Sequence, residues 1–119
     1  MNYKDLRKDE RLALAGLLQA MIRLDGQYSR EESTRLRAIA DELGEPELFW
    51  ESMEAATLEI GSPEELKKLT AAITRPEARG FMMEVLEGLA AAGGLSTAED
   101  DMMKEVAALF ADEESGPYR

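Results

Sequence analysis

The side chains best suited to chemistry in this 119-residue sequence are carboxylates, and two short acidic segments stand out. The first follows a helix with a glycine turn, and the second is a consecutive run. Oxygen atoms of such side chains are the ligands that Ca²⁺ and Mg²⁺ prefer in proteins. We therefore treat six residues as candidate metal ligands: Asp25, Glu31 and Glu32 in the first segment, and Glu99, Asp100 and Asp101 in the second.

The first segment matches only the second half of an EF-hand calcium loop. Asp25 and Gly26 fit the fifth and sixth loop positions, and Glu32 fits the twelfth. The first and third positions would be Met21 and Arg23, which supply no carboxylate. A complete EF-hand is therefore excluded, and a helix cap that uses the Ser29 hydroxyl and Glu32 is the favoured interpretation. A weak Ca²⁺ or Mg²⁺ site stays open as the alternative.

The second segment, residues 99–101, stands at the predicted start of a helix. Negative side chains in a first turn complement the helix dipole, which is the favoured interpretation of this run. The alternative is a second patch that binds a cation or a basic partner. Acid–base catalysis by paired carboxylates would need a cleft that shifts their pKa, and the sequence gives no sign of one.

The sequence contains no Cys and no His. Their absence excludes disulfides, zinc fingers, and the Cys–His and Ser–His–Asp hydrolases. We expect the protein not to be an enzyme.

The net charge of −11 is unevenly distributed along the chain. Residues 1–44 carry 8 basic and 8 acidic side chains, whereas residues 45–119 carry 6 basic and 17 acidic ones. An acidic surface repels phosphate backbones, so nucleic acid is not an expected partner. The longest apolar run, residues 12–22, is too short to span a bilayer and contains Gln19, so we expect no membrane insertion and a cytoplasmic location.

Hydrophobic spacing indicates helices throughout, and no segment alternates with the period of a strand. Leu14, Leu17, Leu18, Met21 and Ile22 form one buried stripe on the first helix. Gly44 ends the second helix, Pro46 begins the third, and Ser62 and Glu65 form a capping box for the fourth. The sixth helix is predicted to bury Met103, Val106, Ala107 and Phe110. We predict an all-α, compact single-domain bundle of six to seven helices over residues 1–111, followed by an acidic flexible tail at 112–119.

A shift of 67 residues superimposes the two ends of the sequence. Residues 17–32 then lie over residues 84–99, so that Ser29 meets Ser96 and Glu32 meets Glu99. Each copy reads as helix, glycine turn, capping box and helix. This agreement predicts two pseudo-repeated helix-turn-helix hairpins that share one core.

The segments LDGQYSREE and LRAIADELG, within residues 14–44, resemble the tellurite-resistance TerB-like family. Residues 81–110 resemble it more loosely. The resemblance implies a compact helical bundle with a pseudo-repeat, in a family also found on DnaJ-type co-chaperones, whose members are thought to bind metal ions or partners through surface carboxylates. The second copy departs from the family pattern, since Ala92 stands where an Asp is expected.

These observations together predict a non-catalytic helical binding module for a divalent cation or a protein partner. The alternative is a structural adaptor or homodimer subunit with an apolar patch. Such a patch would use Trp50 and the outward-facing members of the pairs Met82–Met83 and Met102–Met103. The sequence leaves open whether the protein is a monomer or a homodimer.

Overall fold

The computed structural model describes residues 2–23, 30–92 and 97–115, and within these ranges it contains helices and no strand. A short 3-10 turn at Tyr3–Asp5 precedes six α-helices. These are α1 (Lys8–Arg23), α2 (Arg30–Glu42), α3 (Pro46–Glu59), α4 (Pro63–Ala71), α5 (Pro76–Ala92) and α6 (Thr97–Ser115). The predicted all-α bundle is confirmed. Helix α6 continues through Ser115, so the flexibility proposed for residues 112–119 stays a prediction.

Local capping chemistry sets several helix ends where the sequence predicts them. The Ser62 hydroxyl accepts the Glu65 N–H at 3.2 Å, and the Glu65 carboxylate accepts the Gly61 N–H at 3.4 Å. Pro46 and Pro63 occupy the first positions of α3 and α4, where a missing N–H costs nothing. Gly44 adopts a φ of 77° just after α2, a conformation that ends helices and favours glycine.

Helix α1 lies at the centre of the bundle and packs against α3, α4 and α5. Leu14, Leu17, Leu18 and Met21 on α1 are buried, as the predicted stripe requires, but Ile22 at its edge is only partly buried. Helix α2 packs along α5 and against α3, while α6 packs against α5 and α4. On α6 Val106 and Phe110 are buried as predicted, but Met103 is only partly buried and Ala107 is exposed. Ala107 lies about 100° round the helix from Val106, beyond the edge of the buried stripe.

The helix starts agree with the proposed shift of 67 residues, which places α1 over α5 and α2 over α6, but α6 extends to Ser115, beyond the shifted end of α2 at position 109. The packing does not repeat in the same way. Helix α2 lies closely along α5, but the equivalent close packing of α6 on α1 is not made. Helix α4 contacts both α1 and α6 instead, so α4 lies between α6 and α1.

An ion pair with a buried carboxylate joins the beginning of α1 to the residue that precedes α5. Arg75 Nε donates to Glu10 Oε2 at 2.8 Å, and Arg75 Nη2 donates to Glu10 Oε1. Glu10 also accepts the Arg7 N–H at 2.7 Å, and Arg75 donates to the Asp5 carbonyl at 3.1 Å. The hydrogen bonds from Arg75 hold the pKa of the Glu10 carboxyl below its usual value despite its burial. This pair fixes the 3-10 turn, α1 and α5 relative to one another.

Candidate functional site

The first acidic segment supplied three predicted ligands, and the structure describes the backbone of two of them. Asp25 falls outside the described residues. Glu31 and Glu32 stand in the first turn of α2. Their roles as cation ligands stay predictions.

The three carboxylates of the second segment point in different directions. Glu99 is buried, Asp101 is exposed, and Asp100 forms an ion pair with Lys104 at 3.0 Å, one turn further along α6. Consecutive residues on a helix are about 100° apart, so a consecutive run does not converge on one ion. Within residues 2–23, 30–92 and 97–115, no three acidic side chains are grouped so that they could hold a metal ion.

A groove of about 470 Å³ with mostly apolar walls lies between α1, α4 and α6. We call it the α1–α4–α6 groove. Leu17 and Ala20 of α1 form its floor. Pro63, Leu66 and Thr70 line one wall on α4, and Ala98, Met102, Val106 and Leu109 line the other wall on α6. The groove lies where α6 would contact α1 if the second hairpin packed as the first one does.

The rim of the α1–α4–α6 groove is charged and mostly acidic. It contains Asp101 and Glu105 of α6 together with Lys67 of α4. Lys67 Nζ lies 2.8 Å from Glu105 Oε1, so this ion pair joins the two walls. Both side chains are more than half exposed, and the hydrogen bond with Glu105 raises the pKa of Lys67. Exposed pairs of this kind are weak and exchange partners readily.

Equivalent positions in the two hairpins carry opposite chemistry. On α2, Arg35 and Glu42 form an ion pair at 3.2 Å. A Cβ built on Gly88 of α5 would lie 3.1 Å from Arg35 Nη2, so the Arg35 side chain lies against α5. The 67-residue shift places Met102 and Leu109 of α6 at these two positions, and both side chains are apolar, partly exposed and line the groove.

Trp50 lies apart from the described methionines of α6. It is 42 % exposed and packs edge-on against Phe49, with ring centroids 5.1 Å apart. It lines a shallow depression of about 390 Å³ together with residues of α1 and α2, including Ile22 and Leu36. Met102 belongs to the α1–α4–α6 groove, so the structure separates the predicted Trp and Met patch into two surfaces.

The family model described as Tellurite resistance protein TerB matches residues 11–115 of this chain. The chain belongs to the TerB family. The family resemblance predicted from the sequence is therefore confirmed. Searches of curated proteins and of solved structures give no match.

The matched span of this TerB-family chain contains the floor, both walls and the rim of the α1–α4–α6 groove. The Glu10–Arg75 pair lies across its boundary, since Glu10 precedes the match. Among the described residues, no helix is sufficiently long and apolar to traverse a bilayer.

The sequence analysis predicted an outward-facing methionine in the pair Met102–Met103 but did not place it beside α1 and α4. A signal was nevertheless present, because the apolar stripe of α6 is wide. Val106 and Phe110 are buried in the core, whereas Met102 and Leu109, seven residues apart, form the partly exposed edge of the same stripe. An apolar stripe wider than the core contact leaves one edge available to a second surface.

Proposed function

We propose that this TerB-family domain is a non-catalytic binding module for a protein partner, which it binds in the α1–α4–α6 groove. The observation that carries the proposal is the pair Met102 and Leu109. At the equivalent positions α2 has a self-contained ion pair, whereas α6 presents two apolar side chains to a concave surface. Covering partly exposed apolar side chains releases water and favours association.

The chemistry of the groove supports binding rather than catalysis. An apolar floor and walls with a few polar groups at the rim are typical of binding sites. The chain has no Cys or His to act as a nucleophile or a general base near neutral pH. The rim carboxylates lie on an exposed edge, where Glu105 is paired with Lys67.

Surface carboxylates keep the predicted role of binding a partner in this proposal, but the residues assigned to that role are now those at the rim of the groove. Asp101, one of the six candidate ligands, lies on the rim of the groove, and Glu105 joins it there. These side chains are suited to orienting a partner through charge, since electrostatic contacts at a rim steer association. Binding of Ca²⁺ or Mg²⁺ stays a separate prediction.

Site-specific photo-crosslinking in living cells tests this proposal. A benzophenone amino acid replaces Leu109 on the groove wall, and a matched variant carries it at Leu58, which is 78 % exposed on α3. We expect a discrete crosslinked adduct from position 109 and none from position 58. Adducts from position 58 alone would instead favour the exposed surface of α3 around Leu58. No adduct from position 109 would refute the proposal.

A further inference from the structure

We infer that the occupant of the α1–α4–α6 groove is a short, basic amphipathic helix of the partner. Its apolar side chains cover Met102 and Leu109. One of its Lys or Arg side chains forms an ion pair with Glu105 and displaces Lys67. The inference rests on the proposed function and adds to it the chemical class of the partner.

The length of the groove suits a helix. Its wall on α6 runs from Ala98 to Leu109, which is about 16 Å or three turns at 1.5 Å per residue. The opposite wall runs from Pro63 to Thr70 on α4, about two turns. A partner helix in such a groove presents apolar side chains at positions i, i+3 or i+4, and i+7.

Charge selects a basic occupant and disfavours a second copy of this chain. The rim has two carboxylates and one ammonium group, and Glu64 on α4 is close enough to raise the pKa of Lys67 as well. The whole chain has a net charge of −11. Two copies joined through this groove would bring two acidic rims together, at an electrostatic cost that a cationic partner avoids.

The Lys67–Glu105 ion pair gives the basic helix a defined point of attachment. The pair spans the two walls at 2.8 Å, and both partners are largely exposed. An incoming Lys or Arg can therefore replace Lys67 at the Glu105 carboxylate with little loss of protein–protein interaction. Lys67 competes with the partner in this arrangement, so its removal strengthens binding.

Three matched peptides of about 14 residues, stapled because short helices are marginal in water, test the inference. The first has Leu at positions i, i+4 and i+7 and Lys on both flanks. The second replaces every Lys with Glu, and the third replaces the three Leu with Ser. Each is titrated into the isotope-labelled full chain, and binding is followed by amide NMR shifts.

We expect the basic peptide to shift the resonances of Leu17, Thr70, Met102 and Leu109. The Glu and Ser peptides should bind at least 10-fold more weakly. Binding should strengthen about 1.5- to 5-fold in Lys67→Ala and weaken by a similar factor in Glu105→Gln. Glu51→Gln, which removes an exposed charge from α3 outside the groove, is the matched control and should leave binding within 1.5-fold.

The outcomes separate the inference from the proposed function. Equal binding of the Lys and Glu peptides, shifts confined to residues outside the groove, or no binding by any peptide would overturn the basic helix. Self-association through the groove, seen as a dimer by sedimentation and lost on Leu109→Glu, would also overturn it. If position 109 still yields a crosslink in cells while the basic peptide fails, the groove stands as a binding site and only its assigned occupant is wrong.

Discussion

The two hairpins of this TerB-family chain have helices that start at equivalent positions but have different surroundings. Helix α2 packs along α5, and its exposed edge carries the Arg35–Glu42 ion pair. Helix α6 is held away from α1 by α4, and the equivalent edge carries Met102 and Leu109. The comparison shows that a helix placed between α1 and α6 leaves an apolar groove where the other hairpin makes a close helix contact.

Two ion pairs also differ in their exposure to solvent. The Glu10–Arg75 pair is buried at its carboxylate, makes two hydrogen bonds and holds the beginnings of α1 and α5. The Lys67–Glu105 pair is exposed at both side chains and spans the groove. Burial and hydrogen-bond number therefore make the first pair structural and leave the second available for exchange.

Truncating a buried residue of α2 should have the largest effect on stability. Ile39→Ala removes apolar volume that is 97 % buried, so we expect a loss of about 2–4 kcal/mol in the free energy of unfolding. Leu109→Ala on the groove wall should cost less than about 1 kcal/mol, because that side chain is already partly exposed. Urea unfolding measures both values. Equal losses of unfolding free energy in the two variants would contradict the distinction between the packed face of α2 and the open groove wall on α6.

Removing the charge of Glu10 should have the second largest effect on stability. Glu10→Gln keeps the size of the side chain but loses the charge-assisted contacts with Arg75, and we expect a loss of about 2 kcal/mol. The control is Glu77→Gln, since Glu77 lies 3.8 Å from the same guanidinium but is more than half exposed. That variant should leave the urea midpoint unchanged. A similar loss in both variants would show that burial does not distinguish these two carboxylates.

The contribution of Glu10 should also depend on pH in a defined direction. Because Arg75 lowers the pKa of Glu10, the ionised carboxylate adds stability that is present above the ordinary glutamate pKa. This stability is lost as the pH falls through the lowered pKa. The difference in unfolding free energy between the natural chain and Glu10→Gln should therefore be constant between about pH 5 and 7 and shrink below that range. A difference that grows in acid would contradict the assignment.

Substitution of two glycines of α5 should give the smallest changes in stability, and the two sites can be compared directly. Gly80 faces open space, and Gly80→Ala should stabilise the chain by about 0.5–1 kcal/mol through helix propensity. Gly88→Ala should gain less, because its Cβ would lie 3.1 Å from Arg35 Nη2 and the Arg35 side chain would have to move. Thermal unfolding of both variants measures the difference. An equal gain at the two sites would mean that α2 does not pack tightly on α5 there.

Local chemistry made much of the fold predictable from the sequence. Pro46 marked the start of α3, Ser62 and Glu65 marked that of α4, and Gly44 marked the end of α2. Each of these signals acts within a few residues, so it can be read without knowing the tertiary structure. The stripe on α1 was predictable for the same reason, since helical periodicity identifies a buried face.

The site was less predictable because it depends on contacts between distant segments. Glu10 and Arg75 are 65 residues apart, and no local pattern pairs them. The run of Glu99, Asp100 and Asp101 looked like one cluster, but helical geometry gives each residue a different environment. The groove exists only because α4 lies between α1 and α6, which spacing along the sequence does not reveal.

The most direct test of the groove exchanges the chemistry of the two hairpins. The double variant Met102→Arg with Leu109→Glu gives α6 the ion pair that α2 already carries at the equivalent positions. The benzophenone side chain is placed at position 67 on the α4 rim, where it should crosslink the partner when Met102 and Leu109 are present. In the double variant we expect this crosslink to disappear while the urea midpoint stays close to that of the natural chain. An undiminished crosslink from this folded variant would contradict the account.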